Sequence, residues 1–348
     1  MKKSLLALAV LGAFAGVASA QSSVTLFGVV DLNARYVKND GSSRRVSLSQ
    51  DGINSSRIGF RGTEDLGGGL KAGFWLEGGL SADTGNSGIS SDSVGKASGK
   101  FFGRRSTVSL MGGFGEVRLG RDYTPSFWNN TIFDAFGTVG LGDSSGILQL
   151  VAPDFARADN TIGYFLPSGI GGLYGQAMVA AGEATAAGRY VGGRIGFAAG
   201  PFDVAAAYAE ETLAAGKYKT ANVGGSYDLG VAKLMGYYNE DKLNSAKEKR
   251  LSVSAVVPIG QGEIHVGGQQ SKFTDTGVSN KVSKYAVGYV YNLSKRTALY
   301  TNVARLSNGM QPVNGLTNTL GSVPTSAYAL PTLGGKSTGA EFGVRHIF

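Results

Sequence analysis

The run Leu70-Lys71-Ala72-Gly73-Phe74-Trp75-Leu76-Glu77 decides the fold. Its even positions, Leu70, Ala72, Phe74 and Leu76, are all apolar, while the odd ones hold Lys71, Gly73, Trp75 and Glu77. Successive side chains of an extended chain point to opposite faces, so a period of two marks a strand with one apolar face. The same alternation runs from Val24: Leu26, Gly28, Val30, Leu32, Ala34 and Tyr36 share its face, and Thr25, Asp31, Asn33 and Arg35 take the other.

Outward from these runs, the spacers sort by length. Short turns are legible at 65–69, 112–115, 167–172, 199–201, 228–230, 258–262 and 292–295. Longer polar segments lie near 38–55, 80–100, 122–158, 181–188, 210–217, 240–248, 271–281 and 308–335. Seven short turns and eight long loops make fifteen connections, hence sixteen antiparallel strands. An even strand number, with short turns at one end and long loops at the other, is the pattern of an outer-membrane barrel. The expected fold is therefore all-β: a 16-stranded antiparallel transmembrane β-barrel. Closure leaves no unpaired backbone edge in lipid. Tyr36, Tyr164, Tyr190, Tyr208, Tyr227, Tyr238, Tyr289, Tyr291 and Tyr300 fall near strand ends, as interfacial girdles require.

Composition agrees. The 348 residues include 55 glycines, about twice the usual share, which argues against a helical bundle because each interior glycine costs up to about 1 kcal/mol relative to alanine. A mean hydropathy of -0.01 fits alternating strands and no membrane helix. Without cysteine there is no disulfide, thiol nucleophile or Cys-ligated zinc, and two histidines make no metal site. No cofactor and no metal are expected.

Residues 1–20 read as a signal peptide: Lys2 and Lys3, an apolar stretch from Leu5 to Val17, then the small-residue cleavage site Ala18-Ser19-Ala20. The mature barrel is expected to span 21–348, without a second domain. Its bases are scattered rather than clustered with aromatics, so no nucleic-acid partner is expected.

Three segments together resemble the Gram-negative general porins, most of all the trimeric, anion-selective porins of β-proteobacteria. They are Ser23-Val-Thr-Leu-Phe-Gly-Val-Val-Asp31, Ser56-Arg-Ile-Gly-Phe-Arg-Gly-Thr-Glu-Asp-Leu-Gly67 and Gly113-Phe-Gly-Glu-Val-Arg-Leu-Gly-Arg121. The resemblance covers the whole mature chain. It implies a homotrimer in the outer membrane, in contact with lipid and lipopolysaccharide, with loop 3 folded into the lumen. It also implies that Phe348 is the signal read by the barrel-assembly machinery. The function implied is a water-filled channel for passive diffusion of ions and small hydrophilic solutes. Small outward residues such as Gly28 and Ala34 would let neighbouring walls approach.

Function would then reside where the channel narrows. The connection 122–158 is the longest and falls where loop 3 belongs; it carries Tyr123, Phe127, Trp128, Phe133, Phe136 and Phe155. Aromatics in a loop imply packing, most simply on the inner wall. On strand 2, Ile58 and Phe60 face outward, which sends Arg57 and Arg61 inward. By resemblance Arg57 is the family's constriction arginine, and Arg157 looks like another. On strand 4 only one of Arg104 and Arg105 can face the lumen. Outward Val108 and Leu110 favour Arg105. The family pattern Asn-Arg-x-x-aromatic favours Arg104, although Gly103 and Thr107 depart from it. Opposite this basic wall, Asp134 and Asp143 are the loop acids expected at the constriction, with Asp122 and Asp154 further along. Three or four bases at one height against dispersed acids predict anion selectivity.

An enzymatic reading is weak. His265 and His346 would both lie toward the turn end as girdle residues, away from any rim where a hydrolase would need them. Gly113-Phe-Gly115 lacks the third glycine of a dinucleotide loop.

Overall fold

The computed structural model describes residues 23–87, 100–144, 156–183, 188–310, 319–320 and 331–348. The proposed signal peptide, Asp154 and Phe155 lie outside them. The wall begins with β1 (Ser23–Asn39) and β2, which is broken into β2a (Arg44–Gln50) and β2b (Arg57–Gly67). It continues through β3 (Leu70–Ser81), β4 (Arg105–Gly112), β5 (Gly115–Tyr123), β6 (Arg157–Phe165), β7 (Leu173–Ala180) and β8 (Arg189–Ala199). The second half comprises β9 (Phe202–Leu213), β10 (Gly216–Asp228), β11 (Lys233–Leu243), β12 (Ala246–Ile259), β13 (Gly262–Asp275), β14 (Val278–Asn292), β15 (Thr297–Ser307) and β16 (Lys336–Ile347). A short helix, α1 (Pro125–Ile132), follows β5.

Each strand pairs antiparallel with the next, and β16 returns to β1 from Val29↔Ile347 to Asn39↔Ser337. β2a and β2b pair with the upper and lower halves of β1, so they form one interrupted strand, and the two residues Asn86–Ser87 merely fold back on β3. The barrel thus closes with sixteen strands, as the spacing predicts. Phe348 completes the seam by exchanging backbone hydrogen bonds with Gly28 at 3.0 and 3.1 Å. A Cβ at Gly28 would lie 2.3 Å from the Phe348 ring, so this small residue receives the chain's own terminus rather than a neighbouring wall.

Alternation sorts the faces. Val24, Leu26, Val108, Ile162, Val253 and Phe342 are exposed on the outside, while Asp31, Asn33, Asn239, Ser271 and Glu341 are buried on the inside. A transmembrane barrel inverts the usual order: apolar side chains meet lipid and polar ones line the lumen.

Two expectations need correction. The segments 210–217, 240–248 and 271–281 are not loops. Their strands run on to tight turns at 214–215, 244–245 and 276–277. Their polar residues pair across the strands, as Glu210 and Lys219 do at 3.3 Å. Tyr190 and Tyr300 are not girdle residues, because Val191 and Val303 face outward and parity turns both tyrosines inward, where they are buried. Tyr36, Tyr164, Tyr208, Tyr238, Tyr289 and Tyr291 are exposed on the outside.

The connection after β5 touches the inner face at several points. Thr124 caps α1, its hydroxyl accepting from the Phe127 N–H. The Asn129 amide donates to Asn222 on β10 at 2.8 Å, and the Ala135 N–H to Ser254 on β12 at 3.0 Å. The Ser144 hydroxyl lies 2.6 Å from that of Tyr237 on β11, and the Leu141 N–H donates to Glu341 on β16 at 3.2 Å. Phe136 and Leu141 are buried in one cluster with Val282 and Leu306 of the wall.

Candidate pore constriction

The break in β2 is where the basic wall is built. Asp31, fully buried on β1, accepts hydrogen bonds from the N–H groups of Gly52 (3.2 Å), Ile53 (2.9 Å) and Asn54 (2.8 Å), and from the Tyr300 hydroxyl. One carboxylate thereby satisfies the backbone donors that the break removes from the ladder. The chain then enters β2b at Arg57, whose Nε donates to the Ser55 carbonyl at 3.0 Å.

Glu77 on β3 is the hub. It accepts from Arg104 Nε at 2.6 Å and from Trp75 Nε1 at 3.0 Å, and lies 3.5 Å from Arg57 Nη1. The Tyr123 hydroxyl accepts from Arg104 Nη2 at 2.8 Å and from Arg157 Nη2 at 2.6 Å, and the Arg157 guanidinium stacks 4.3 Å from its ring. Tyr123 can join this group because a bulge shifts the β5–β6 register between Gly120 and Asp122. Gly120 has φ +123° there, a value that side-chain-bearing residues rarely adopt. Arg57, Arg104 and Arg157 thus converge on one carboxylate and one phenol. Asp51, bonded to the Ser56 N–H at 2.7 Å, stands within electrostatic reach of Arg104.

A second tier lies nearer the short turns. Arg61 sits four residues beyond Arg57, about 13 Å along the strand, so the two are not at one height. Its guanidinium lies 5.1 Å from the Trp75 ring and 5.3 Å from that of Phe27. Arg105 packs 4.6 Å from Trp75 and 3.6 Å from Asp122. Arg118 bonds Asp122 at 2.5 Å and Glu116 at 2.9 Å.

Arg104 and Arg105 are therefore not alternatives. β4 starts at Arg105, so strand parity does not bind Arg104, and both side chains reach inner-face carboxylates. The loop acids behave otherwise. Asp134 is buried inside its own connection, accepting from the N–H groups of Phe136, Thr138 and Ser144 and from the Ser144 hydroxyl. Burial pushes its carboxyl above the ordinary range. Asp143 lies 4.0 Å from Lys284 on β14. The carboxylates facing the arginines come from the wall: Glu77, Asp122 and Glu116. The alternation turns Glu77 inward, but only cross-strand register gives it its partners; the glycine at 120 is the available hint of the bulge. His265 also departs from expectation. Its neighbour Val266 faces out, and its own ring lies inside, 5.7 Å from Phe136. His346 is exposed and bonds Thr297 at 2.9 Å.

Comparison with known proteins agrees with the closed barrel. The chain is 42% identical over 370 residues to outer membrane porin protein 32 of Delftia acidovorans, covering 100% of both. It is 31% identical to an outer membrane porin protein of Bordetella pertussis, over 86% of this chain and 93% of that one. The structure is similar to the anion-selective porin from Comamonas acidovorans, with a TM-score of 0.80 and 37% identity, covering 94% of this chain and 100% of that one. With OmpT of Vibrio cholerae in its trimer form, at 15% identity and a TM-score of 0.65, it shares the fold. Residues 7–311 match the Gram-negative porin family, and with a closed sixteen-stranded wall and relatives of this kind, the chain belongs to that family.

Proposed function

We propose that this outer-membrane barrel is a channel for passive diffusion of ions and small hydrophilic solutes, with a preference for anions. The observation that carries the preference is the convergence of Arg57, Arg104 and Arg157 on the inner wall. Residues 124–144 narrow the lumen beside them, as loop 3. Among the described residues of this region, six guanidiniums (Arg57, Arg61, Arg104, Arg105, Arg118, Arg157) stand with five carboxylates (Asp31, Asp51, Glu77, Glu116, Asp122), so positive charge is in excess. In a narrow, low-dielectric passage this excess is poorly screened. The resemblance to a porin described as anion-selective supports the same sign. In planar bilayers the protein should give large open steps, and Arg57→Ser should keep those steps while lowering the chloride bias of the zero-current potential. Unchanged selectivity would remove Arg57 from the constriction.

The barrel works as a homotrimer, exported with loss of residues 1–20 and inserted through recognition of Phe348 by the assembly machinery. Phe348 suits that role, since its ring covers Gly28 only once the seam has closed. Unheated in SDS, the protein should migrate near three times the mass of the mature chain, the precursor being 35.9 kDa. Migration as a compact monomer in mild detergent would contradict the trimer.

A further inference from the structure

Three polar side chains of the inner wall stand outside the basic cluster yet reach the segment that carries it. Arg35, Glu341 and Asn302 lie directly opposite one another across β1, β16 and β15, and all three are buried. Glu341 accepts from Arg35 Nε at 2.8 Å, from Asn302 Nδ2 at 2.8 Å and from the Leu141 N–H at 3.2 Å. The Asn302 amide also donates to the Gly52 carbonyl at 3.3 Å, and Arg35 Nη2 to that of Gln50 at 3.3 Å. One cation and one anion make up the charge of this row, so it adds nothing to the net charge of the lumen.

Gly52, in the break of β2, is where two parts of the molecule meet. Its N–H is held by Asp31 and its carbonyl by Asn302. The Tyr300 side chain packs on it so closely that a Cβ would collide with the ring and hydroxyl. From the connection after β5, Gly140, with φ +73°, lies against the same carbonyl and likewise has no room for a Cβ. That connection therefore rests on the break twice, through Gly140 and through the chain Leu141–Glu341–Asn302–Gly52. Arg57 follows five residues after Gly52, with its Nε tied to the Ser55 carbonyl inside the same short segment. Without Asn302 the buried Gly52 oxygen loses its donor, a cost that the segment relieves by shifting. A packed chain of contacts of this kind carries the shift to its far end.

We infer that Asn302 is a positioning residue for Arg57, given the channel reading proposed above. Through its amide the docked connection sets where the Arg57 guanidinium stands in the lumen. Anion preference then depends on a neutral side chain of β15, on the far side of the barrel seam from β2.

The test is a double-substitution cycle on the full barrel, read from reversal potentials in planar bilayers under a KCl gradient. Asn302→Leu removes the donor without changing the charge. The chloride-to-potassium permeability ratio should fall by about threefold, the scale of coupling within one hydrogen-bonded network, while the open steps persist. In an Arg57→Ser background the same substitution should leave the ratio nearly unchanged, because the group it positions is gone. Gly140→Ala strikes the link from the connection and leaves the wall intact. It should reproduce both results, and it reads the link even where Asn302→Leu does not assemble. An assembled variant with the wild-type ratio would overturn the inference. So would equal losses with and without Arg57, which would mean that Asn302 acts on the channel by another route. A wild-type protein with no chloride preference would instead overturn the channel reading, and this inference with it.

Discussion

Arg57→Ser/Arg157→Ser should bring a strongly chloride-selective channel close to no preference. The double substitution removes two of the three guanidiniums that converge at the constriction. It leaves the buried Arg104–Glu77 pair at 2.6 Å intact, so the wall keeps its hub. Two unit charges about 4 Å apart interact by about 4 kcal/mol at an effective dielectric near 20. A tenfold preference needs only about 1.4 kcal/mol, so the excess is ample to produce the bias and its loss ample to abolish it. Permeability ratios from reversal potentials in a salt gradient measure the change. A double variant that kept a chloride preference of tenfold or more would show that Arg61 or charges on the outer loops set selectivity instead. The loop acids are poor candidates for an opposing role, since Asp134 is engaged by four donors of its own connection and Asp143 lies beside Lys284.

The second large effect should follow Asp31→Ala, which removes no positive charge. Its carboxylate is the acceptor for three backbone N–H groups across the β2 break and for the Tyr300 hydroxyl. Each buried donor left unsatisfied costs about 1–3 kcal/mol, so the variant should lose on the order of 4 kcal/mol, a magnitude reserved for broken buried networks. The readout is the denaturant midpoint of the folded-to-unfolded shift on SDS gels. Because Arg57 Nε is tied to the Ser55 carbonyl inside this segment, the chloride bias should fall as well. Asp31→Asn, which keeps an acceptor oxygen, should recover part of both. Wild-type stability in the alanine variant would mean that the break holds its shape without this carboxylate.

The contrast between these two sites shows what the sequence makes legible. Period-two runs such as Leu70–Glu77 expose strand faces directly, and glycine- and proline-marked turns count the strands, because both signals are local. Pairings are not local. Glu77 meets Arg104 across 27 positions and Asp31 meets Tyr300 across 269, contacts fixed by barrel closure and register. The same limit explains Tyr123, which turns inward only because the bulge at Gly120 shifts β5 against β6. It also explains the hairpins around 214–215 and 244–245. Charged residues there look like loop, yet they pair across continuous strands. Arg104 escapes the one-inward rule because the strand starts one residue after it.

The most direct measurement is the zero-current potential of the unmodified protein in a planar bilayer separating concentrated from dilute KCl. With an excess of guanidinium charge at the constriction, chloride should carry most of the current, and the potential should have the sign and near-Nernstian size of a chloride electrode. A potential of the opposite sign, with potassium carrying the current, would contradict the assignment of the constriction to Arg57, Arg104 and Arg157.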